Sequence, residues 1–282
     1  MQESIRKADV LIEALPYLQA FRGTPMVVKY GGSAIDNPAA MRGILQDLVF
    51  LSIVGIHPVL VHGGGPMITR TLTSAGKNSA FIDGMRVTDG ETIRVVAHEL
   101  DAVNHRLVAQ INDLGGAADG VVPKRKVVMA QPHPKAAQLG FVGSVQRVEL
   151  QPLREAFARQ AIPVISPVGV GDGQLYNINA DDVAGAIAAS LKAEKLVLLT
   201  NVRGILRHAN DVHSLISTLS VSEAKLLIGR GVIQEGMIPK VTACVEALRR
   251  GVKKTHIIDA SIPHAMLLEI FTKQGIGTEI VR

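Results

Sequence analysis

A three-layer α/β/α sandwich with a mainly parallel central sheet, preceded by a separate N-terminal helix, is the fold class that the sequence predicts. Three observations carry that prediction. Short β-branched runs alternate with longer stretches of helical periodicity along 282 residues, the pattern of strand–helix units that build parallel sheets. Two of the predicted strands end in glycine turns that lead straight into helices, KYGGSAI at 29–35 and VHGGGPMI at 61–68. Hydrophobic residues make up 47% of the chain and charged residues 20%, which suits a large buried core and argues against a disordered chain.

The elements follow in chain order. Residues 5–21 carry an amphipathic helical pattern with Val10, Leu11, Ala14, Leu15 and Leu18 on one side. Pro16 lies inside it and predicts a kink or an interruption, because proline lacks the N–H and clashes with the preceding turn. This segment, residues 1–22, either packs on its own domain or offers a face to a partner subunit. Strands are predicted over 26–29, 59–62, 127–129, 162–166, 196–200 and 255–258. Helices are predicted over 38–54, 66–75, 90–114, 181–191, 222–228, 236–250 and 263–271. Residues 116–148 have few helical signals and read as hairpins or a small β insertion. With no repeat and no low-complexity linker, residues 23–282 read as one domain of two lobes, about 23–180 and about 181–282, meeting at a cleft.

Composition narrows the function. The net charge of +5 suits an anionic substrate or a solvated surface. Basic residues are scattered, the densest patches being 124–126, 249–250 and 253–254, and aromatics are only 3% with no Trp. Nucleic acid is therefore not an expected partner. The lone Cys244 makes no internal disulfide and sits in a helical pattern as a small apolar residue. With no secretory signal and no apolar run near the roughly 18 residues a span requires, a cytoplasmic protein without membrane partners is expected. The nine histidines show no metal-ligand spacing, His98 and His105 being seven apart, so no protein-held metal is expected. Neither a GxxxxGK[ST] nor a strand-linked GxGxxG is present.

What remains is a set of donors. Lys29 ends one strand ahead of Gly31 and Gly32; Gly63, Gly64 and Gly65 end another ahead of Pro66. Such turns either permit a tight bend or converge backbone N–H groups on an anion, helped by the helix dipole. In open α/β sheets both would lie beyond the carboxyl ends of strands, where ligands bind. Asn177 and Asn179 precede a helix with Asp181 at or near its N-cap. They read as caps, or as two alternating amides gripping a ligand. Lys240 falls in the first turns of a helix, where the dipole disfavours a cation, and Arg86 in DGMRVTDG is a surface residue or a bidentate carboxylate clamp. Cations and amides of this kind suit phosphoryl transfer, which depends on positioning and charge neutralisation. No general base is legible, and a carboxylate acceptor needs none, since its pKa of about 4.3 leaves it ionised at neutral pH. The constellation fits a kinase that makes an acyl phosphate.

In this order, KYGGSAI, VHGGGP, GMRVTD, NINAD, AEKLVLLTNVRGIL and GMIPKV resemble the motifs of the amino acid kinase family. Within it they resemble the branch that phosphorylates the side-chain carboxylate of N-acetyl-L-glutamate with ATP in arginine biosynthesis. The resemblance runs from about residue 24 to 281. It implies that Lys29 and Lys240 stabilise the transferred phosphoryl group and that Asp181 orients both. Gly32 and Gly64 would donate N–H bonds to phosphate oxygens, and Gly64, Gly65, Arg86, Asn177 and Asn179 would line the acceptor site in the N-terminal lobe. Asn201, Val202, Arg203, Gly204, Ile205 and Leu206, with Val232, Ile233, Gln234 and Gly236, would cradle ATP in the C-terminal lobe, Mg²⁺ bridging its phosphates.

The N-terminal helix resembles that of arginine-inhibited members, whose kinked helices interlace dimers into a homohexamer, a trimer of dimers. Residues 255–280 look like their effector region. His256, Glu269 and Gly275 would contact arginine, with Tyr17 and Lys195 as further candidates. Asn201, Arg203, Glu235 and the segment DGVVPKRK depart from the usual pattern. Two other readings stay open, a sister kinase for aminoadipate, aspartate or glutamate, and a non-catalytic arginine-sensing subunit.

Overall fold

Valine- and leucine-rich runs of four to six residues, buried on both faces, form the middle of an eight-stranded sheet, as expected for strands covered by helices on either side. The structure is a computed structural model that describes residues 1–208, 211–234, 236–272 and 275–282, the side chains at 4, 6, 7, 33 and 34 excepted.

In chain order the elements are α1 (Gln2–Phe21), β1 (Pro25–Tyr30), a 3-10 turn (Gly32–Asp36), α2 (Pro38–Ile53), β2 (His57–His62), α3 (Gly65–Ser74), β3 (Phe81–Ile82), β4 (Met85–Arg86), α4 (Thr92–Asp113) and β5 (Ala118–Val121). Then come β6 (Val128–Pro132), α5 (Ala136–Leu139), β7 (Gly143–Val148), α6 (Gln151–Ala158), β8 (Ile162–Ile165), β9 (Val168–Gly171), β10 (Gln174–Asn177) and α7 (Ala180–Leu191). The remainder holds β11 (Lys195–Thr200), β12 (Thr218–Ser220), α8 (Val221–Gly229), α9 (Ile238–Arg249), β13 (Lys254–Asp259), α10 (Ala265–Phe271) and β14 (Thr278–Val281).

The main sheet runs β12-β14-β13-β11-β1-β2-β8-β5, and only the β13–β14 pairing is antiparallel. Strand alternation decides what faces what. Val27, Val59 and Val61 enter the core built with Val183, Ile187, Val241 and Leu248 of α7 and α9. Met26, Val28, Tyr30 and Leu60 enter the opposite core with Leu45 and Leu48 of α2, Leu107 of α4 and Met266 of α10. The sandwich expected from the sequence is therefore the one observed, and Lys29 has the parity of the α7/α9 face.

Some expectations need correction. Residues 118–121 are not part of a β insertion but the edge strand of the main sheet, paired with β8. The separate small sheet is β10-β9-β6-β7. Helix α1 continues through Pro16 as one unbroken element, so the expected interruption is absent. The helix α6 and the strands β9, β10, β12 and β14 were not among the predicted elements. On α1 the predicted apolar face points largely to solvent, with Val10 59% and Leu11 65% exposed. Its hold on the domain includes an edge-on contact between Tyr17 and Phe271 of α10. No helix among the described residues is long and apolar enough to cross a membrane.

Candidate active site

The two glycine turns meet. β1 and β2 are adjacent and parallel, with Tyr30 opposite His62, so both turns leave the same end of the sheet. A Cβ on Gly31 would lie 3.1 Å from the Gly63 backbone, and one on Gly63 would lie 3.2 Å from Gly31 Cα. Glycine at both positions lets backbone pack on backbone, and the Gly63 N–H donates to the Tyr30 carbonyl at 2.8 Å. Gly64 is the N-cap of α3. A Cβ there would come within 2.6 Å of Leu100 Cδ2, whereas Gly65 faces open space. Gly32 has a φ of +67°, in the left-handed region that glycine occupies without strain.

Parity brings Lys29 under α7 and α9, where a carboxylate and a second ammonium wait. Lys29 Nζ lies 2.9 Å from Asp181 Oδ1, and Lys240 Nζ lies 2.8 Å from Asp181 Oδ2. The sequence left the cap of α7 open, and the structure assigns it to Asn179, whose side-chain oxygen accepts from the Asp181 N–H at 2.8 Å. Asp181 therefore sits inside the first turn with its carboxylate free to bridge the lysines. Burial pushes the Asp181 carboxyl upward, but the two ammonium groups outweigh it and hold it below the usual carboxylate range. Burial lowers Lys29, with Asp181 opposing and the nearby Lys240 ammonium adding to the fall. Two cations on one carboxylate leave a net positive charge at the head of the cavity, the electrostatic condition for holding a polyanion.

Arg86 lines the same cavity. Its Nη2 donates to the Gly65 carbonyl at 3.1 Å and to Thr69 Oγ1 at 2.7 Å, and its Nη1 donates to Ser79 Oγ. The guanidinium lies 4.8 Å from the centre of the Phe81 ring. It is only 6% exposed, and among the described residues no carboxylate pairs with it. A buried guanidinium held only by neutral acceptors leaves its charge available to an anionic ligand. Asn177 Nδ2 donates to Thr88 Oγ1 at 3.2 Å, and that hydroxyl donates to the Arg86 carbonyl at 2.7 Å. Thr88, which the sequence reading passed over, thus joins Asn177 to the strand of Arg86.

Nine of the sequence-predicted residues line a single cavity of about 300 Å³: Lys29, Gly32, Gly64, Gly65, Arg86, Asn177, Asn179, Asp181 and Lys240. Ile68, Leu100 and Pro167 add an apolar wall. Three cations, Lys29, Lys240 and Arg86, line it together with the amides of Asn177 and Asn179 and these apolar groups, a lining that suits a small anionic molecule.

The sequence profile of the Amino acid kinase family matches residues 24–259. The chain belongs to the amino acid kinase family. It is 48% identical to an acetylglutamate kinase of Pelotomaculum thermopropionicum over 287 residues, which cover 97% of each chain. It is 47% identical to an acetylglutamate kinase of Syntrophomonas wolfei over 281 residues, covering 99% of this chain and 98% of that one. A solved structure of N-acetylglutamate synthase from Neisseria gonorrhoeae, complexed with coenzyme A and N-acetyl-glutamate, matches with a TM-score of 0.86 at 26% identity. That match covers 98% of this chain and 63% of the synthase. The same synthase complexed with coenzyme A and L-arginine matches with a TM-score of 0.79 at 25% identity, covering 97% of this chain and 65% of that one.

The remaining predicted residues of this amino acid kinase family member fall in three other places. Ile233, Gln234 and Gly236 line an open concavity with Ile228, Gly231 and Ile238. Val232 beside them packs half-buried on the core; Glu235 lies outside the described residues. Asn201, Val202 and Arg203 are exposed at the end of β11. Gly204 and Ile205 turn inward instead. A Cβ on Gly204 would lie 2.6 Å from Thr278 Oγ1, and the Ile205 N–H donates to that hydroxyl at 2.8 Å. Leu206 is half-buried and bridges to Leu215. The structure does not gather the 201–206 and 232–236 segments into one cavity among the described residues.

The third place is a cavity of about 260 Å³ between α1, the sheet and α10, lined by Tyr17, Lys195, His256, Glu269 and Gly275. All five are the residues predicted for an effector. His256 donates from Nδ1 to Glu269 Oε1 at 2.7 Å and accepts at Nε2 from Lys195 Nζ at 3.0 Å. Burial lowers the His256 pKa more than Glu269 raises it. Glu269 also accepts from the Ile276 and Gly277 N–H groups at 2.7 and 3.2 Å. Burial pushes its carboxyl up, but His256 and those donors hold it below its ordinary value. Among the described residues no group of three His, Cys, Asp or Glu could hold a metal ion.

Proposed function

We propose that this chain transfers the γ-phosphoryl group of ATP to the side-chain carboxylate of N-acetyl-L-glutamate, forming N-acetyl-L-glutamyl 5-phosphate and ADP in arginine biosynthesis. The observation that carries this reading is the single cavity lined both by the Lys29–Asp181–Lys240 set and by Arg86, which no carboxylate pairs among the described residues. Acetylglutamate kinase relatives near 48% identity over almost the whole chain support the acceptor.

The acceptor carboxylate is ionised at neutral pH and attacks the γ-phosphorus directly, so no proton has to be removed. Lys29 and Lys240 offset the charge spread over the transferring oxygens from two sides, and Asp181 keeps both ammonium groups aimed. The Gly32 and Gly64 N–H groups add donors at the turns. Arg86 clamps the acceptor's other carboxylate, and Asn177 and Asn179 hold its amide region beside Gly65. In this reading the lobe of residues about 23–180 binds the acceptor and that of about 181–282 binds ATP. Ile233, Gln234 and Gly236 on one segment and Asn201, Val202 and Arg203 at the end of β11 would contact the nucleotide. Mg²⁺ enters as part of the ATP substrate, since Asp181, the only carboxylate lining the cavity among the described residues, is already engaged by two lysines.

The same reading includes feedback inhibition by arginine at the cavity of Tyr17, Lys195, His256, Glu269 and Gly275. Carboxylates of Glu269 and Glu279 in that cavity suit a guanidinium or an α-amino group, and a neighbour of similar fold was solved with L-arginine. The solvent-facing apolar side of α1 suits the same helix of a second copy, giving a homohexamer built as a trimer of dimers. A coupled assay of ADP release tests the reading: release should depend on added N-acetyl-L-glutamate and fall when arginine is added. Equal release with unacetylated glutamate would contradict the acceptor, and insensitivity to arginine would contradict the effector site.

A further inference from the structure

His62 is the last residue of β2 and stands directly before the three glycines. Its parity on β2 matches Leu60, so its ring turns away from Lys29 and into the α2/α4 layer, where it is fully buried. Nδ1 lies 3.0 Å from the Gly63 carbonyl oxygen. Nε2 lies 3.2 Å from Asn104 Nδ2, and the same Asn104 nitrogen donates to the Val164 carbonyl at 2.8 Å. The reverse orientation of the Asn104 amide would set its oxygen against the Val164 oxygen, so the nitrogen must face both groups. An amide NH₂ can only donate. His62 Nε2 therefore accepts, the ring proton sits on Nδ1, and Nδ1–H donates to Gly63. The chain of hydrogen bonds fixes one tautomer.

The consequence lies in the peptide between Gly63 and Gly64. That bond is trans, so its C=O and N–H point in opposite directions across one plane. With the carbonyl held inward by His62, the Gly64 N–H faces outward, on the side where Gly64 lines the cavity beside Lys29. The other side of Gly63 is anchored by its own N–H on the Tyr30 carbonyl. A three-glycine turn has wide conformational freedom when left to itself. Here both polar groups of its first residue are tied down.

We propose that His62 is a positioning residue of the transfer reaction: protonated at Nδ1 and neutral, it pins the Gly63 carbonyl and thereby aims the Gly64 N–H at the phosphoryl group. The inference rests on the phosphoryl-transfer reading only for the identity of the anion. Asn104, from α4, sets the tautomer and so belongs to the same device.

Three measurements on the whole chain test it. Long-range ¹H–¹⁵N correlation of the imidazole rings, with His62 assigned by its loss in His62→Asn, should show the Nδ1–H tautomer at pH 7.5. A charged ring or an Nε2–H tautomer would overturn the proposal. For kinetics, His62→Leu removes the donor and His62→Asn keeps an amide nitrogen near the Nδ1 position. His62→Leu should lower kcat by about 10- to 100-fold, the scale of a misplaced catalytic donor, with KM for N-acetyl-L-glutamate within about threefold. His62→Asn should recover most of that loss, whereas equal losses, or a folded His62→Leu with normal kcat, refute the assignment. Failure of His62→Leu to fold leaves the tautomer to decide. Should the wild-type enzyme not release ADP with N-acetyl-L-glutamate, the acceptor reading fails while the device is still judged by the Gly64 amide resonance on adding AMP-PNP. That resonance should move in the wild type and in His62→Asn, and its failure to move in the wild type would overturn the proposal.

Discussion

Replacing Asp181 with asparagine keeps the shape of the side chain and removes the one negative charge that two ammonium groups share. The lysine nitrogens lie 2.9 and 2.8 Å from its oxygens. At an effective dielectric constant of about 20, each pair at such a distance is worth roughly 5–6 kcal/mol of Coulomb energy. Breaking a buried pair by removing one partner costs about 3–5 kcal/mol, because the other charge stays behind without compensation. Lys29 bears most of this, its side chain being 8% exposed against 23% for Lys240. It can escape by releasing its proton, and burial has already brought its pKa below the ordinary lysine value. A neutral Lys29 no longer offsets charge on the phosphoryl group. With about 3 kcal/mol of transition-state stabilisation lost, kcat should fall by roughly 150-fold. The sign of the pH effect follows from the same loss: in Asp181→Asn the activity should decline at lower pH than in the wild type as pH is raised, because the ammonium deprotonates earlier. Steady-state ADP release from pH 6 to 9, with circular dichroism as a control for folding, reads both. A folded Asp181→Asn enzyme with kcat within about threefold of wild type and an unmoved pH profile would exclude this role for Asp181.

Four other outcomes are expected. Arg86→Ala should raise the KM for N-acetyl-L-glutamate by about 10- to 150-fold, the equivalent of one charged hydrogen-bonded contact, with a smaller effect on the KM for ATP; initial-rate kinetics in both substrates decides. Gly31→Ala should lower unfolding stability by about 1–3 kcal/mol in urea melts, since its Cβ would stand 3.1 Å from the Gly63 backbone, while Gly65→Ala, which faces open space, should cost little stability. His62 is held neutral by burial, which pushes its pKa down to about 4, the Gly63 carbonyl opposing this and Arg106 adding to it. The unfolded ring takes up a proton below about 6.5 that the folded ring refuses, so stability should fall between about pH 6.5 and 4 by up to roughly 3 kcal/mol. The acid slope of urea midpoints should flatten in His62→Asn. Glu269→Gln should raise the arginine concentration for half-inhibition at least about tenfold, because it removes a carboxylate from the cavity of Tyr17 and His256; inhibition curves at fixed substrates measure it.

The fold was legible where a residue's neighbours in sequence decide its state. Strands β1, β2 and β11 announce themselves as β-branched or leucine-rich runs, and Pro66 behind Gly65 marks the start of α3. Lys29, Asp181 and Lys240 could be singled out as unusual, but their meeting depends on strand parity and on helices many residues apart. What stayed hidden was decided by distant packing. The pair His62–Asn104 spans 42 residues, and the contact of Gly31 with Gly63 needs two strands laid side by side. β5 looked like part of an insertion because its ADGV run is short and weakly apolar; its partner β8 makes it a strand. Pro16 carries a local helix-breaking signal that α1 overrides within a continuous helix. The burial of Gly204 and Ile205 against Thr278 also rests on a contact spanning 73 residues of the chain. The cap of α7 was open among three residues, and only the observed backbone gives it to Asn179.

Trapping with hydroxylamine decides whether a carboxylate accepts the phosphoryl group. An acyl phosphate reacts with hydroxylamine to give a hydroxamate and inorganic phosphate, and the hydroxamate is read by its coloured iron complex. With ATP, Mg²⁺ and N-acetyl-L-glutamate, hydroxamate should form in step with ADP and should vanish in Lys240→Ala. ADP release without hydroxamate, or undiminished hydroxamate from Lys240→Ala, would contradict the account.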